Sequence, residues 1–337
     1  MRLHPWDADN RRLVGEVHPP DWLNPVPAAR YHLVVVGAGT GGLVTAAIAA
    51  GLGARVALVE RRFMGGDCLV TGCVPSKALL RSARAWTEAR SASRRFGAPP
   101  TTGEGDFAAV MGRLRRLRAD LAPADGAARF RDLGVDVFLG EDRFTALDAL
   151  EVEGATLRFA RAVVATGARP SAPPIPGLAD VGYRTSETIF ELESSPSRLA
   201  VVGGGPIGCE LAQAFARLGS AVTLLEAGPR LLPRDDARAA TIVRDALERD
   251  GVRVRLGADV GRVWRADGAI RLEIAGAGEP LAVDEILVAT GRAPNVEGLG
   301  LDAAGVRTGP DGVVVDDRLR TSNPRIFAVG DVCTGLR

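Results

Sequence analysis

Twice in this chain, an apolar strand-like run meets three closely spaced glycines, then an Ala-rich helical pattern, then a second apolar run that ends on glutamate. The first copy runs from residues 33–36 through Gly37-Ala38-Gly39-Thr40-Gly41-Gly42 to residues 56–59 and Glu60. The second runs from 199–202 through Gly203-Gly204-Gly205-Pro206-Ile207-Gly208 to 222–225 and Glu226. Gly37, Gly39 and Gly42, like Gly203, Gly205 and Gly208, have the GxGxxG spacing. In such a turn the first glycine permits the tight bend, the second lets a pyrophosphate approach the backbone, and the third lets helix and strand pack closely. The helix start offers unpaired N–H groups and the positive end of its dipole to that anion. An acid about 20 residues further on stands where a ribose hydroxyl pair is held. A Gly-rich helix–strand packing contact is the plain alternative. The preceding strand, the following helix and the terminal acid together favour a dinucleotide site.

The repeat continues. Each copy is followed by further elements and by a strand ending in Ala-Thr-Gly, at Ala165-Thr166-Gly167 and at Ala289-Thr290-Gly291. The expected fold class is α/β, with two Rossmann-like three-layer nucleotide-binding domains, each carrying a small β-meander. A length of 337 residues allows two or three domains. Many glycines (41) and few aromatics (5%) suit close helix–sheet packing. The formal net charge of +1 gives no electrostatic footprint for nucleic acid or an anionic membrane. Residues 33–54 carry no charge and are long enough to suggest a membrane span. Their β-type start, glycine cluster and Ala-rich continuation read instead as a buried strand–turn–helix. The charged start is unlike a signal peptide, so a soluble, cytoplasmic protein is expected. Residues 1–29, rich in Pro, Trp and charge, are read as an irregular arm lying on the body. Residues 106–133 predict a long helical region broken near Pro123 and Gly126.

Of the four cysteines, Cys68 and Cys73 lie five apart, and Cys209 and Cys333 are distant in sequence. A structural zinc site needs four ligands. His4, His18 and His32 all lie at or before the first strand, so metal is poorly supported. Cys209 and Cys333 read as core cysteines. Cys68 and Cys73 flank a glycine turn at the start of a predicted helix, with Pro75 in its first turn. A thiolate at Cys73 would be stabilised by the helix dipole. A dithiol that closes to a disulfide there is a two-electron store.

Cys68-x4-Cys73-Val74-Pro75-Ser76-Lys77, set between two Gly-rich turns, resembles the class I pyridine nucleotide–disulfide oxidoreductases. These include dihydrolipoyl dehydrogenase, glutathione reductase and mercuric reductase. The Gly65-Gly66-Asp67-Cys68 opening and the Pro-rich arm look most like the mercuric reductase-like branch. The resemblance covers about residues 31–332. It implies an FAD-binding domain over 31–185 that resumes at 313–337, an NAD(P)-binding domain over 186–312, and an N-terminal arm at 1–30. It implies that Gly37, Gly39, Gly42 and Glu60 hold the ADP part of FAD, and that Asp331 of Gly330-Asp331 binds the ribityl chain. Cys73 would be the thiol beside the flavin, forming a charge-transfer state, and Cys68 the outer thiol that exchanges with substrate. Lys77 matches the lysine near flavin N5, and Glu210 its ion-pair partner. On the residues alone both read as ordinary surface charges. Gly203, Gly205, Gly208 and Glu226 would bind the nicotinamide cofactor, with Thr166, Gly167, Thr290 and Gly291 at the crossings between domains.

The implied activity passes electrons from NAD(P)H through FAD to the Cys68–Cys73 disulfide, and on to a small-molecule disulfide, thiol or soft metal such as Hg(II). Glu226 favours NADH, because it would bind a free 2′-hydroxyl and repel a 2′-phosphate. Arg230 and Arg234 could accommodate that phosphate, although a solvated loop is the simpler reading of both. Family members continue into an interface domain that makes the homodimer and supplies a His–Glu pair. This chain ends at Arg337, six residues after Asp331, and has no histidine after His32. A truncated, dimerisation-deficient chain is therefore expected. Two alternatives follow: a flavoprotein with only NADH oxidase or diaphorase activity, and an inactive nucleotide-binding remnant.

Overall fold

The structure, a computed structural model, describes residues 3–101 and 105–333. The elements in chain order begin with α1 (Ala8–Val17), β1 (Tyr31–Val36), α2 (Thr40–Gly51), β2 (Val56–Glu60), α3 (Gly66–Val70) and α4 (Cys73–Phe96). There follow α5 (Phe107–Asp125), α6 (Ala127–Asp132), β3 (Val135–Leu139), β4 (Asp142–Ala146), β5 (Ala149–Val152), β6 (Ala155–Val164) and β7 (Ala168–Pro170). Next come α7 (Leu178–Val181), β8 (Arg198–Val202), α8 (Pro206–Arg217), β9 (Ala221–Glu226), α9 (Ala237–Arg249) and β10 (Arg253–Leu256). The last are β11 (Val260–Ala266), β12 (Ala269–Ile274), β13 (Leu281–Val283), β14 (Glu285–Val288), β15 (Arg292–Pro294), β16 (Thr308–Gly309), β17 (Gly312–Val313) and β18 (Ile326–Ala328).

The chain divides into two compact units. The first comprises residues 1–70, 116–169 and 292–337, and the second 71–115 and 170–291. In the first unit β3, β2, β1, β6 and β18 form a parallel sheet in that order. The long strand β6 belongs to two layers. Its first residues pair antiparallel with β5, and β5 with β4, making a small meander. Its last residues pair parallel with β1 and β18. The buried strands are near-continuous apolar runs, as expected when both faces of a parallel sheet are covered. Tyr31, Phe138, Phe144 and Phe159 fill the core in edge-on pairs with centroids 6.4 and 6.0 Å apart. In the second unit β10, β9, β8 and β14 are parallel, and β11, β12 and β13 form the meander. Its core joins the strand residues Ala200, Val202 and Leu225 to Val263, Ile270 and Leu272 of that meander. The architecture is thus α/β with two Rossmann-like nucleotide-binding folds, as the repeat implies. The uncharged segment 33–54 resolves into β1, a turn and α2. No helix among the described residues is long and apolar enough to cross a membrane.

One local expectation is corrected. The N-terminal arm is not irregular throughout, because Asp7 caps α1 by accepting the Asn10 N–H at 2.8 Å. Asn10, Leu13 and Val17 are fully buried. The high charge of residues 7–12 hid an amphipathic helix whose apolar positions come late. The helical break expected near Pro123 and Gly126 falls at Gly126, the N-cap of α6, with Pro123 itself inside the last turn of α5. Trp22 and Asn24, further along the arm, bond to backbone groups of β3.

Candidate functional site

In the first unit, Gly37 has φ +98°, and a Cβ there would lie 2.4 Å from the Ala165 carbonyl oxygen. A Cβ on Gly42 would fall 1.8 Å from the Gly37 carbonyl oxygen, so helix and strand meet backbone to backbone. Gly39 is the N-cap of α2, with extended backbone and no side-chain cap. Its missing Cβ would have open space, the nearest atom being 4.0 Å away. That leaves room for a ligand over first-turn N–H groups that no side chain caps, which suits a pyrophosphate. Glu60 is buried at the end of β2. Its carboxylate accepts the Ala38 and Arg62 N–H groups, each at 2.7 Å. Burial drives its pKa upward, against those two bonds and the charges of Arg61 and Arg62.

The second unit repeats this. Gly203 has φ +112°, and a Cβ on Gly208 would lie 1.9 Å from the Gly203 carbonyl oxygen. Gly205 caps α8 without a side-chain bond and has open space at its Cβ position. Glu226 accepts the Gly204 N–H at 2.6 Å and the Gly228 N–H at 2.7 Å. Arg230 is not a freely solvated side chain. It donates to the carbonyls of Asp235 and Pro233 at 2.8 and 2.6 Å, closing its own loop. Arg234 is exposed.

Cys68 lies half-buried in α3, and Cys73 is the exposed first residue of α4. Gly72 caps α4, accepting the Ser76 N–H at 3.0 Å. The structure brings Lys77 and Glu210 together across α4 and α8, with the Lys77 Nζ at 2.8 Å from both carboxylate oxygens. Cys209 is buried against Gly204, and burial pushes its thiol up to about 11. Cys333 is likewise buried, bonded to the Gly330 carbonyl at 3.0 Å. Both fit the core-cysteine reading.

The Ala-Thr-Gly strand ends are held symmetrically. Thr166 donates to the Asn295 carbonyl at 2.8 Å, and the Asn295 side chain donates back at 2.9 Å. Thr290 donates to the Ser171 carbonyl at 3.1 Å, while Ser171 donates to Gly291 at 3.0 Å.

Two arginines that the sequence did not single out support the Cys68 segment. Arg118, fully enclosed, donates to the Val70 carbonyl at the end of α3 at 2.6 Å and to Asn10 of α1 at 2.9 Å. Arg292 donates to the Asp67 carboxylate and the Ala168 carbonyl, and its Nε stands 3.5 Å from Asp331. Arg118 has no local sequence signal. Arg292 has a weak one, following directly on Thr290-Gly291.

The sequence profile of the pyridine nucleotide-disulphide oxidoreductases matches residues 31–337. The chain belongs to this family. Among curated relatives, it is 37% identical over 308 residues to a mercuric reductase of Lysinibacillus sphaericus, covering 90% of this chain and 56% of that protein. It is 39% identical over 313 residues to a dihydrolipoyl dehydrogenase of Thermus scotoductus, covering 90% and 66%. The solved Cu(II) complex of the HOCl-induced flavoprotein disulfide reductase RclA from Escherichia coli superposes with a TM-score of 0.80 at 32% identity, covering 90% and 67%. The chain thus spans between about half and two thirds of these oxidoreductases.

Proposed function

We propose that this chain is an FAD-dependent oxidoreductase that takes hydride from NADH and reduces a disulfide or soft-metal acceptor through Cys68 and Cys73. The observation that carries the reading is the doubled glycine cradle with the cysteine segment between its two copies in sequence. Each cradle has an uncapped helix start, open space at its middle glycine and an acid bonded into the turn.

The residues of the first cradle fit FAD. Gly37, Gly39 and Gly42 would admit its pyrophosphate, Glu60 would hold the ribose, and Asp331 would hold the ribityl chain. When bound, the flavin supplies two-electron transfer between the nicotinamide and sulfur. Gly203, Gly205, Gly208 and Glu226 would hold the nicotinamide cofactor. Glu226 and the self-occupied Arg230 support the preference for NADH, because neither offers a ready partner to a 2′-phosphate. The Cys68 thiolate attacks a substrate disulfide and releases one thiol. Cys73 then displaces the second thiol and closes the Cys68–Cys73 disulfide. Two electrons and a proton from NADH, with one further proton from solvent, reopen it. Lys77, held by Glu210, would keep a fixed positive charge beside the flavin. Acceptor types are suggested by the relatives' names: dihydrolipoyl, mercuric, and the Cu(II) complex of a disulfide reductase.

Absorption spectroscopy of the purified protein during NADH titration tests the reading. The expected result is a yellow protein that develops a long-wavelength thiolate–flavin band, absent in Cys73→Ser. Flavin bleaching without that band would remove the cysteines from the route. Colourless protein that takes up no FAD would remove the flavin.

A further inference from the structure

Packing in the first unit brings two segments that each carry an aspartate against the start of α2. Gly66 sits so close to Gly39 that a Cβ on Gly66 would lie 2.8 Å from the Gly39 Cα, and Asp67 follows it. A Cβ on Gly41 would lie 3.5 Å from the Val329 side chain, two residues before Asp331. Asp67 and Asp331 are both substantially exposed, at 44% and 59%. Two negative charges beside a site for a doubly charged pyrophosphate are unfavourable, and the like-charge cost grows as the ligand displaces water. One cation answers both. Arg292 bonds Asp67 and the Ala168 carbonyl and has its Nε 3.5 Å from Asp331.

The geometry points to Arg292 as a positioning residue that fits the α2 N-terminus for an anionic dinucleotide by neutralising Asp67, the neighbour of Cys68. This rests on the flavin reading above. Arg292 is the shared counterion of the cysteine segment and the Gly330-Asp331 turn. Its worth to dinucleotide binding therefore depends on Asp67 being charged. A simple direct contact between arginine and phosphate would show no such dependence.

A double-mutant cycle on FAD dissociation constants, read by flavin fluorescence, tests this. R292Q is expected to weaken FAD by about tenfold or more, a penalty that shrinks in high salt. D67N alone is expected to change the constant by less than about threefold, because Arg292 already cancels that charge. In the R292Q background, D67N is expected to recover most of the loss. If D67N shifts the constant by the same factor in both backgrounds, or if R292Q binds FAD as well as the wild type, the proposal fails. Melting temperatures of the flavin-free proteins supply a second readout. Non-additive shifts for D67N and R292Q are expected, and additive ones would sink the ion pair. Coupled melting with no FAD uptake by the wild type would sink the flavin reading instead, and this proposal with it.

Discussion

The two glycine turns are almost superimposable in local geometry, yet they are not interchangeable. Both cap their helices with an extended glycine, at φ −74° and ψ −175° for Gly39 and φ −74° and ψ −179° for Gly205. Both bind a glutamate through the N–H of the turn's second residue, at 2.7 and 2.6 Å. That second residue is Ala38 in one and Gly204 in the other. The difference has a cause. A Cβ on Gly204 would lie 2.6 Å from Leu231 and 2.9 Å from the Glu226 carboxylate, because the loop after β9 folds back over the turn. In the first turn the covering segment approaches Gly39 instead, through Gly66. The acids differ as well, since Glu60 is buried and Glu226 is half-buried. The same backbone device is therefore closed from different sides, and the side that closes it decides where a side chain is tolerated.

The sharpest way to break this comparison is at the third glycine. Gly42→Ala and Gly208→Ala each drive a Cβ into a carbonyl oxygen, and each is expected to cost about 3 kcal/mol or more of stability, read as a fall in the urea midpoint. Gly39→Ala and Gly205→Ala, where the space is open, are expected to leave the midpoint near wild type while weakening FAD and NADH respectively. Equal destabilisation at all four positions would deny that the middle glycine serves a ligand.

A second effect separates the surroundings of the two acids. Near Glu60 lies Asp142 at the start of β4, and burial together with the Glu60 charge pushes its pKa up to about 7, with Arg61 opposing and Glu141 adding to the rise. The folded protein therefore holds a proton that the unfolded chain releases near pH 4. Stability is expected to fall as pH rises from about 4 to about 7 and then to level off, by as much as about 4 kcal/mol. Asp142→Asn is expected to abolish that loss in urea titrations at pH 5, 6 and 8. A wild-type profile as flat as that of the variant would show the carboxyl to be solvated. The smallest effect expected is at Lys77→Met. Its ion pair with Glu210 is 61% and 37% exposed, so the loss of stability should stay below about 1 kcal/mol. Any larger change should appear in the flavin spectrum, if the lysine serves the cofactor.

The sequence carried the strands, the helices after each glycine turn and the start of α4 at Cys73, because apolar runs bounded by glycine report local geometry directly. It also carried the pairing of Lys77 with Glu210, though only through family resemblance, since 133 residues separate them. Other features were not legible. Helix α1 was hidden because charge in its first turns masks Leu13 and Val17. The roles of Arg118 and Arg292 depend on contacts 48 and 225 residues away in the chain. No short-range pattern encodes which carbonyl or carboxylate a long side chain will reach. The conformity of Gly204 with its overlying leucine was equally invisible, because the sequence shows three successive glycines without saying which one is crowded.

The guanidinium of Arg118 has a practical consequence. Trimming residues 8–17 is a tempting route to a tidier protein for crystallisation. Doing so would remove the Asn10 acceptor from an enclosed cation, a charge-assisted hydrogen bond of about 1.5–3 kcal/mol, and would uncover the apolar surface under Leu13 and Val17. The damage would surface at the Val70 end of α3, in the same short helix as Cys68, rather than at the new terminus.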